Sequence, residues 1–157
     1  MLSVNGHFGR LTLAFVLSAM LAAQASAETI AETASKWGLI GPWSLDCSLP
    51  PDRGRGAVLT YEATAGGGVV HRRNFGDKTD ENPVITAKVS PNGMLNLRVF
   101  FPSGNQTREY GLLLQPDGSM RAIYNRDEKK QYSIKDGKFT VGGKPTPLMH
   151  KCVKPVP

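Results

Sequence analysis

Cysteine is almost missing from this 157-residue chain, with only Cys47 and Cys152 present. Their wide separation departs from the Cys-x-x-Cys form of redox pairs. Histidine is nearly as scarce: three in all, of which only His71 and His150 lie beyond the first 27 residues. A zinc centre needs three or four ligands, and catalytic ones often pair histidines within one helical turn; nothing here has that spacing. No nucleophile-elbow pattern supports a Ser-His-Asp arrangement. Ala65-Gly66-Gly67-Gly68 lacks the Lys-Ser/Thr that completes a phosphate loop, and reads as a hairpin turn. After Leu21 no apolar run is long enough to cross a bilayer. These gaps set the expectation of a protein that is not an enzyme, takes no cofactor or metal, and has no transmembrane segment once its leader is gone.

That leader is the first positive signal. Residues 1–10 hold Arg10 and no acid, Leu11 to Leu21 is a short apolar stretch, and Ala25-Ser26-Ala27 has the small-x-small form of a signal-peptidase site. Residues 1–27 are therefore expected to be a cleaved signal peptide, and 28–157 a single domain in the periplasm or secreted medium. The formal charge of +6 favours loose attraction to anionic surfaces. Export argues against nucleic acid as a partner. In an exported protein two cysteines most simply form one bridge, Cys47–Cys152.

The chain is organised around Gly41-Pro42-Trp43-Ser44-Leu45-Asp46-Cys47. A turn precedes Trp43, Leu45 and Cys47 at alternate positions, the pattern of one strand face. Ahead of it, Glu28 to Gly38 reads as a short helix, with Ile30, Ala34 and Trp37 at helical spacing and Gly38 as the stop. Trp37 is read as a plug for one end of the core, with a site aromatic as the alternative.

Strand-like runs follow at Ala57–Thr64, Val69–Phe75, Pro83–Ser90, Met94–Phe101, Gln106–Gln115, Ser119–Asn125 and Gln131–Ile134, then at Phe139 with Val141, and last from Leu148 to Cys152. Gly76 to Asn82 reads as a polar connection. Asn92-Gly93, Asp117-Gly118 and Asp136-Gly137 are strong hairpin signals. Leu95, Leu97, Val99 and Phe101 alternate with other residues; Tyr110, Leu112 and Leu114 repeat the pattern, as do Met120, Ala122 and Tyr124. Serial hairpins make a meander, which must close or stack to cover its edges. The expected fold is an all-β, small antiparallel up-and-down barrel of about eight or nine strands behind a short helix; a two-sheet sandwich is the alternative.

A helical turn, a Gly-x-Trp opening the first strand (Gly41 and Trp43) and a meander together resemble the lipocalin and calycin superfamily. In that family the tryptophan packs across the closed end of the barrel, and a bridge from an early segment to the C-terminal region is common. The resemblance implies the same structural role for Trp43. The later family motifs and a C-terminal helix are not recognisable in this chain.

Val69 to Phe75 is the most informative cluster. Alternation puts Val69, His71, Arg73 and Phe75 on one face and Val70, Arg72 and Asn74 on the other, so one arginine or more points inward either way. An inward arginine is costly unless paired, which places it near a mouth or against an anion; a solvent-facing rim position is the alternative. Arg98, Arg108 and Arg121 sit between apolar neighbours and read as outward. His71, Arg73, Phe75, Tyr110 and Tyr124 are the candidate ligand-contacting residues.

The expected function is non-catalytic binding of a small apolar or lipid-like molecule, neutral or anionic, inside the barrel. The alternative is a solid barrel acting as a cell-envelope interaction or inhibitor module, which grips a protein or polysaccharide through its loops. The interior distinguishes them: an apolar cavity favours the first, a filled barrel the second.

Overall fold

The structure, a computed structural model, describes residues 27–153 and 156. The expected signal peptide lies outside the described residues except for Ala27. Helix α1 (Ile30–Trp37) is bounded by its own chemistry. Thr29 accepts from the Glu32 amide while Glu32 reaches back to the Thr29 amide, a reciprocal cap. Gly38 ends the helix at φ 92°, a left-handed conformation that glycine adopts without strain.

Ten strands follow: β1 (Gly41–Ser44), β2 (Val58–Ala63), β3 (Val69–Asn74), β4 (Thr79–Val89), β5 (Leu95–Phe101), β6 (Gln106–Leu114), β7 (Met120–Asp127), β8 (Tyr132–Lys135), β9 (Lys138–Phe139) and β10 (Leu148–Lys151). β1 to β7 pair in chain order, each antiparallel to the next, and β10 pairs with both β1 and β7. Eight strands therefore close an antiparallel barrel, and the sandwich alternative is set aside. β8 and β9 form a hairpin that continues from the far half of β7.

Two boundaries differ from the sequence reading. β1 stops at Ser44, so Leu45 and Cys47 do not share the inward face of Trp43. The Ser44 hydroxyl accepts from the Asp46 amide, and the Asp46 carboxylate accepts from the Ser48 amide and hydroxyl. Such local side-chain bonds replace ladder bonds and turn the chain. Cys47 still reaches Cys152, bonded to it at a Cα–Cα distance of 5.5 Å, from the loop rather than the strand. β4 begins at Thr79, inside the expected polar connection. Its polar residues face polar partners across the ladder: Asp80 opposite Arg73, Glu81 opposite Arg72, Asn82 opposite His71. At β9, Val141 lies beyond the strand and is 90% exposed.

Trp43, 1% exposed, belongs to the core of the barrel. Its indole N–H donates to the Leu39 carbonyl at 2.7 Å. α1 is tied to the β2–β3 turn by the Ala31 amide, which donates to the Gly67 carbonyl (2.9 Å), and to the β4–β5 turn by the Trp37 indole, which donates to the Gly93 carbonyl (2.8 Å). Trp37 is half-buried and packs against the core, as does Ile30. Leu95, Leu97, Val99 and Phe101 are all buried, as their alternation requires.

Candidate functional site

Register fixes what lines the barrel. Leu59, Arg73 and Asp80 stand opposite one another across β2, β3 and β4, and so do Tyr61, His71 and Asn82. The face that carries Val69, His71 and Arg73 is the inward one. From the other side of the interior come Tyr110 and Leu112 on β6 and Met120 and Ala122 on β7.

These walls leave an apolar cavity of about 200 Å³. Leu59, Tyr61, His71, Tyr110 and Leu112 form its inner surface. Ile134 of β8, Phe139 of β9 and the segment Thr146–Pro147 form the opposite side, so the β8–β9 excursion completes the wall. No charged side chain lines it.

His71 contributes a buried imidazole to that wall, beside the hydroxyl-bearing Tyr61, Tyr110 and Thr146. It is 2% exposed. Its ring stacks on Tyr61 with centroids 4.6 Å apart and planes 6° from parallel, and meets Phe101 and Tyr110 edge-on at 6.4 Å each. Neither ring nitrogen has a hydrogen-bond partner among the described residues. A neutral imidazole carries one N–H donor and one acceptor nitrogen, so one of each is left unmet. Burial, with the Arg73 charge adding to it, depresses the imidazole to a pKa of about 3, which Asp80 only partly offsets. His71 is therefore neutral across the physiological range. Burial also pushes the Tyr61 phenol well above its ordinary range, and raises Tyr110 against a hydrogen bond from Asn125.

Arg73 points inward but is not free. Its Nε donates to Asp80 at 2.9 Å and a second nitrogen pairs with the other carboxylate oxygen. The guanidinium also lies 4.7 Å from the Phe101 ring centroid and 5.4 Å from that of Phe75. The bond from Arg73 holds the Asp80 carboxyl below its usual range, and the Asn82 amide, donating at 2.7 Å, adds to this. Arg73 and Asp80 thus neutralise each other, with Phe75 just beyond the end of β3.

Arg108 corrects an expectation. It stands opposite Val99 and shares the face of Tyr110, so it is inward rather than outward. It donates to Asn125 Oδ1 at 2.6 Å and to Ser133 Oγ at 2.9 Å, which meets the cost of turning it inward. Arg98 is exposed on the outer face as expected, and Arg121 alternates with the inward Met120 and Ala122.

Of the five candidate contacts, the structure brings His71 and Tyr110 together at the cavity and places Arg73 beside them. Phe75 is separated from it at the rim. Tyr124 is on the outside. The register of β7 shifts between its pairings with Gly111 and Leu112, leaving Ile123 as an extra residue, and one extra residue inverts every face beyond it. The Tyr124 ring lies over Gly111 and its hydroxyl donates to Asn96 Oδ1 at 2.9 Å. Sequence reasoning did not single out Tyr61, whose pairing with His71 follows only from hairpin register, nor Asp80 and Asn82, assigned to a loop.

A wider depression of about 920 Å³ lies on the outer face of β2–β4, bordered by Pro42, Pro51 and Val153. Its charged members Arg72 and Glu81 are already paired with each other. Among the described residues no group of three or more His, Cys, Asp and Glu side chains could hold a metal ion, and no helix is long and apolar enough to cross a membrane. Comparison with protein families, curated proteins and solved structures finds no match for this chain.

Proposed function

We propose that this protein is a non-catalytic binding barrel that holds a small, largely apolar molecule in its interior. The observation that carries the reading is the apolar cavity of about 200 Å³ within the barrel. A well-packed barrel leaves few voids larger than water. The reading places the protein outside the cytoplasm after removal of residues 1–27. The bonded Cys47 and Cys152 support that compartment, and N-terminal sequencing of the envelope fraction is expected to begin at Glu28. The Gly-x-Trp resemblance to lipocalins is supported by the closed antiparallel barrel and by the burial of Trp43.

Native mass spectrometry of protein purified from its own host tests the proposal. A retained mass is expected, and it is expected to fall away in Ala122→Leu, which fills the cavity. Retention unchanged by that substitution would move the ligand elsewhere.

The second reading, a solid barrel gripping an envelope protein or polysaccharide through its loops, is favoured by one observation. Tyr61, His71, Phe101 and Tyr110 pack on one another and fill much of the interior, and the remaining space is below the ~300 Å³ usual for drug-sized ligands.

A further inference from the structure

We infer that the outside of the barrel carries a second binding site, a cationic strip across β4 to β8 that takes a segment of an acidic polysaccharide by its carboxylates and hydroxyls. The strip lies on the outer side of the wall and is independent of what the cavity holds.

Register builds the strip. One outward row crosses four strands as Lys88, Asn96, Gly111 and Tyr124, each opposite the next. The row beside it crosses five, as Thr86, Arg98, Glu109, Arg126 and Tyr132. Neighbouring strands lie about 4.8 Å apart, so the five span roughly 19 Å, room for several linked sugar rings. Two depressions, of about 300 Å³ and about 400 Å³, lie along these rows and share Asn96 and Tyr124. Gly111 makes the room, because the Tyr124 ring occupies the place of its missing side chain.

Charge selects the ligand. The charged residues along the two depressions are Lys88, Arg98, Arg126 and Lys135, against Glu109 and Asp136. Glu109 is already engaged: Arg126 Nε donates to one of its oxygens at 2.5 Å and Lys130 to the other at 2.8 Å. Lys88, Arg98 and Lys135 are exposed and make no ion pair among the described residues. They stand on β4, β5 and β8, so unpaired positive charge recurs along the strip. That spacing suits a carboxylate repeated along a chain, and the arginine fork suits each carboxylate. An acidic peptide is the competing occupant. Peptides dock on sheets by extending an edge or by seating apolar side chains in a groove. This strip crosses the middle of the sheet, where both neighbours of each inner strand are already in place, and its lining is mostly polar. The Tyr124 hydroxyl, which donates to Asn96, can still accept; the Tyr132 hydroxyl, which accepts from Arg126, can still donate. Sugar hydroxyls both donate and accept, and so meet both.

The test titrates the protein with a short oligogalacturonate, its methyl ester and oligoglutamate, followed by calorimetry and amide NMR. The oligogalacturonate is expected to bind about tenfold more tightly than its neutral ester, the worth of three exposed charge contacts. It is also expected to bind more tightly than oligoglutamate, and to shift the amides of Asn96, Gly111 and Tyr124. Arg98→Gln and Lys135→Gln are each expected to weaken it about twofold to fivefold. Lys78→Gln, an exposed lysine in the β3–β4 turn, is expected to change nothing. Equal binding of acid and ester would overturn the role of charge. Oligoglutamate binding as tightly as oligogalacturonate would overturn the polysaccharide class. An equal loss in Lys78→Gln would reduce the site to diffuse attraction by net charge and overturn it. Absence of binding would overturn the strip as a site and leave the interior reading untouched. The wild-type comparison of the three probes needs neither variant to fold.

Discussion

Lowering the pH from 7.5 to 4.5 is expected to destabilise this protein through His71. The imidazole titrates near 6.5 in the unfolded chain and near 3 in the barrel. The folded state therefore binds fewer protons than the unfolded state between those values. Stability is complete above 6.5 and is lost progressively as pH falls toward 3. The loss is about 1.4 kcal/mol at pH 5.5 and about 2.7 kcal/mol at pH 4.5. The groups facing His71 do not obscure this window. Tyr61 and Tyr110 are shifted upward and stay protonated, and Arg73 stays charged. Asp80 is shifted downward from 3.8, so its contribution fades only below that value. Glu109 and the other downward-shifted carboxylates begin to act within about one pH unit above 4.5, equally in wild type and in a His71 variant, so the difference between the two proteins isolates His71. Urea melts at pH 7.5, 5.5 and 4.5, on wild type and His71→Phe, measure the effect. The variant is expected to be at least as stable as wild type at pH 7.5, since it removes two unmet polar atoms while keeping the stack on Tyr61. It is also expected to lose the slope between pH 6.5 and 4.5. Identical slopes in both proteins would mean that His71 is hydrated or paired, and would refute the dry, neutral site.

Three further perturbations test the frame. Trp43→Ala is expected to cost about 3–5 kcal/mol in denaturant melts, as for other deletions of a buried large aromatic, because the indole is buried in the core and donates to Leu39. Gly111→Ala is expected to cost about 1–3 kcal/mol by overpacking, since a Cβ there would overlap the Tyr124 ring; Tyr124→Ala on the same chain should recover most of it, and an additive double mutant would show that the glycine matters for its backbone instead. Replacing both Cys47 and Cys152 by serine is expected to cost about 4–5 kcal/mol or less, the chain-entropy value for a loop of this length, given a sequence separation of 105; a change under ~1 kcal/mol would mean that β1 and β10 hold the seam unaided.

Much of the frame was legible because local chemistry and fold agree. The turns after Ser90, Gln115 and Lys135 are carried by Asn92-Gly93, Asp117-Gly118 and Asp136-Gly137, each glycine at positive φ. The Leu95–Phe101 alternation matches the buried face residue for residue, and Trp43 is the anchor its turn and neighbours suggest. What escaped is whatever depends on partners far along the chain. Thr79–Asn82 looks like a loop until Arg72 and Arg73 are set opposite it. Arg108 looks like a surface residue until Asn125 and Ser133 supply its inward bonds. Alternation alone counts Tyr124 as inward, and only the extra residue at Ile123 reverses it. The candidate site was half visible for the same reason: the face of His71 was readable, but Tyr61 joins it through register.

The placement of the cavity follows from how β7 is shared. β10 pairs with its first residues, Met120 and Arg121, while β8 pairs with Asn125 and Arg126. Between these two partners no strand covers β7, and the backbone carbonyls there still need donors. The Thr146 hydroxyl supplies one to Ala122 at 2.8 Å, and the Gly137 amide one to Ile123 at 2.8 Å. The ladder is thus replaced over this stretch by single bonds from a loop and a hairpin turn. A strand would present a regular row of side chains to the interior; here Ile134, Phe139 and Pro147 close the gap irregularly and leave space behind them. The bulge at Ile123, the break in pairing and the cavity are one event in the wall, and His71 faces it from across the barrel. A binding role for the interior accordingly concentrates at this seam, the part of the barrel held by the fewest ladder bonds.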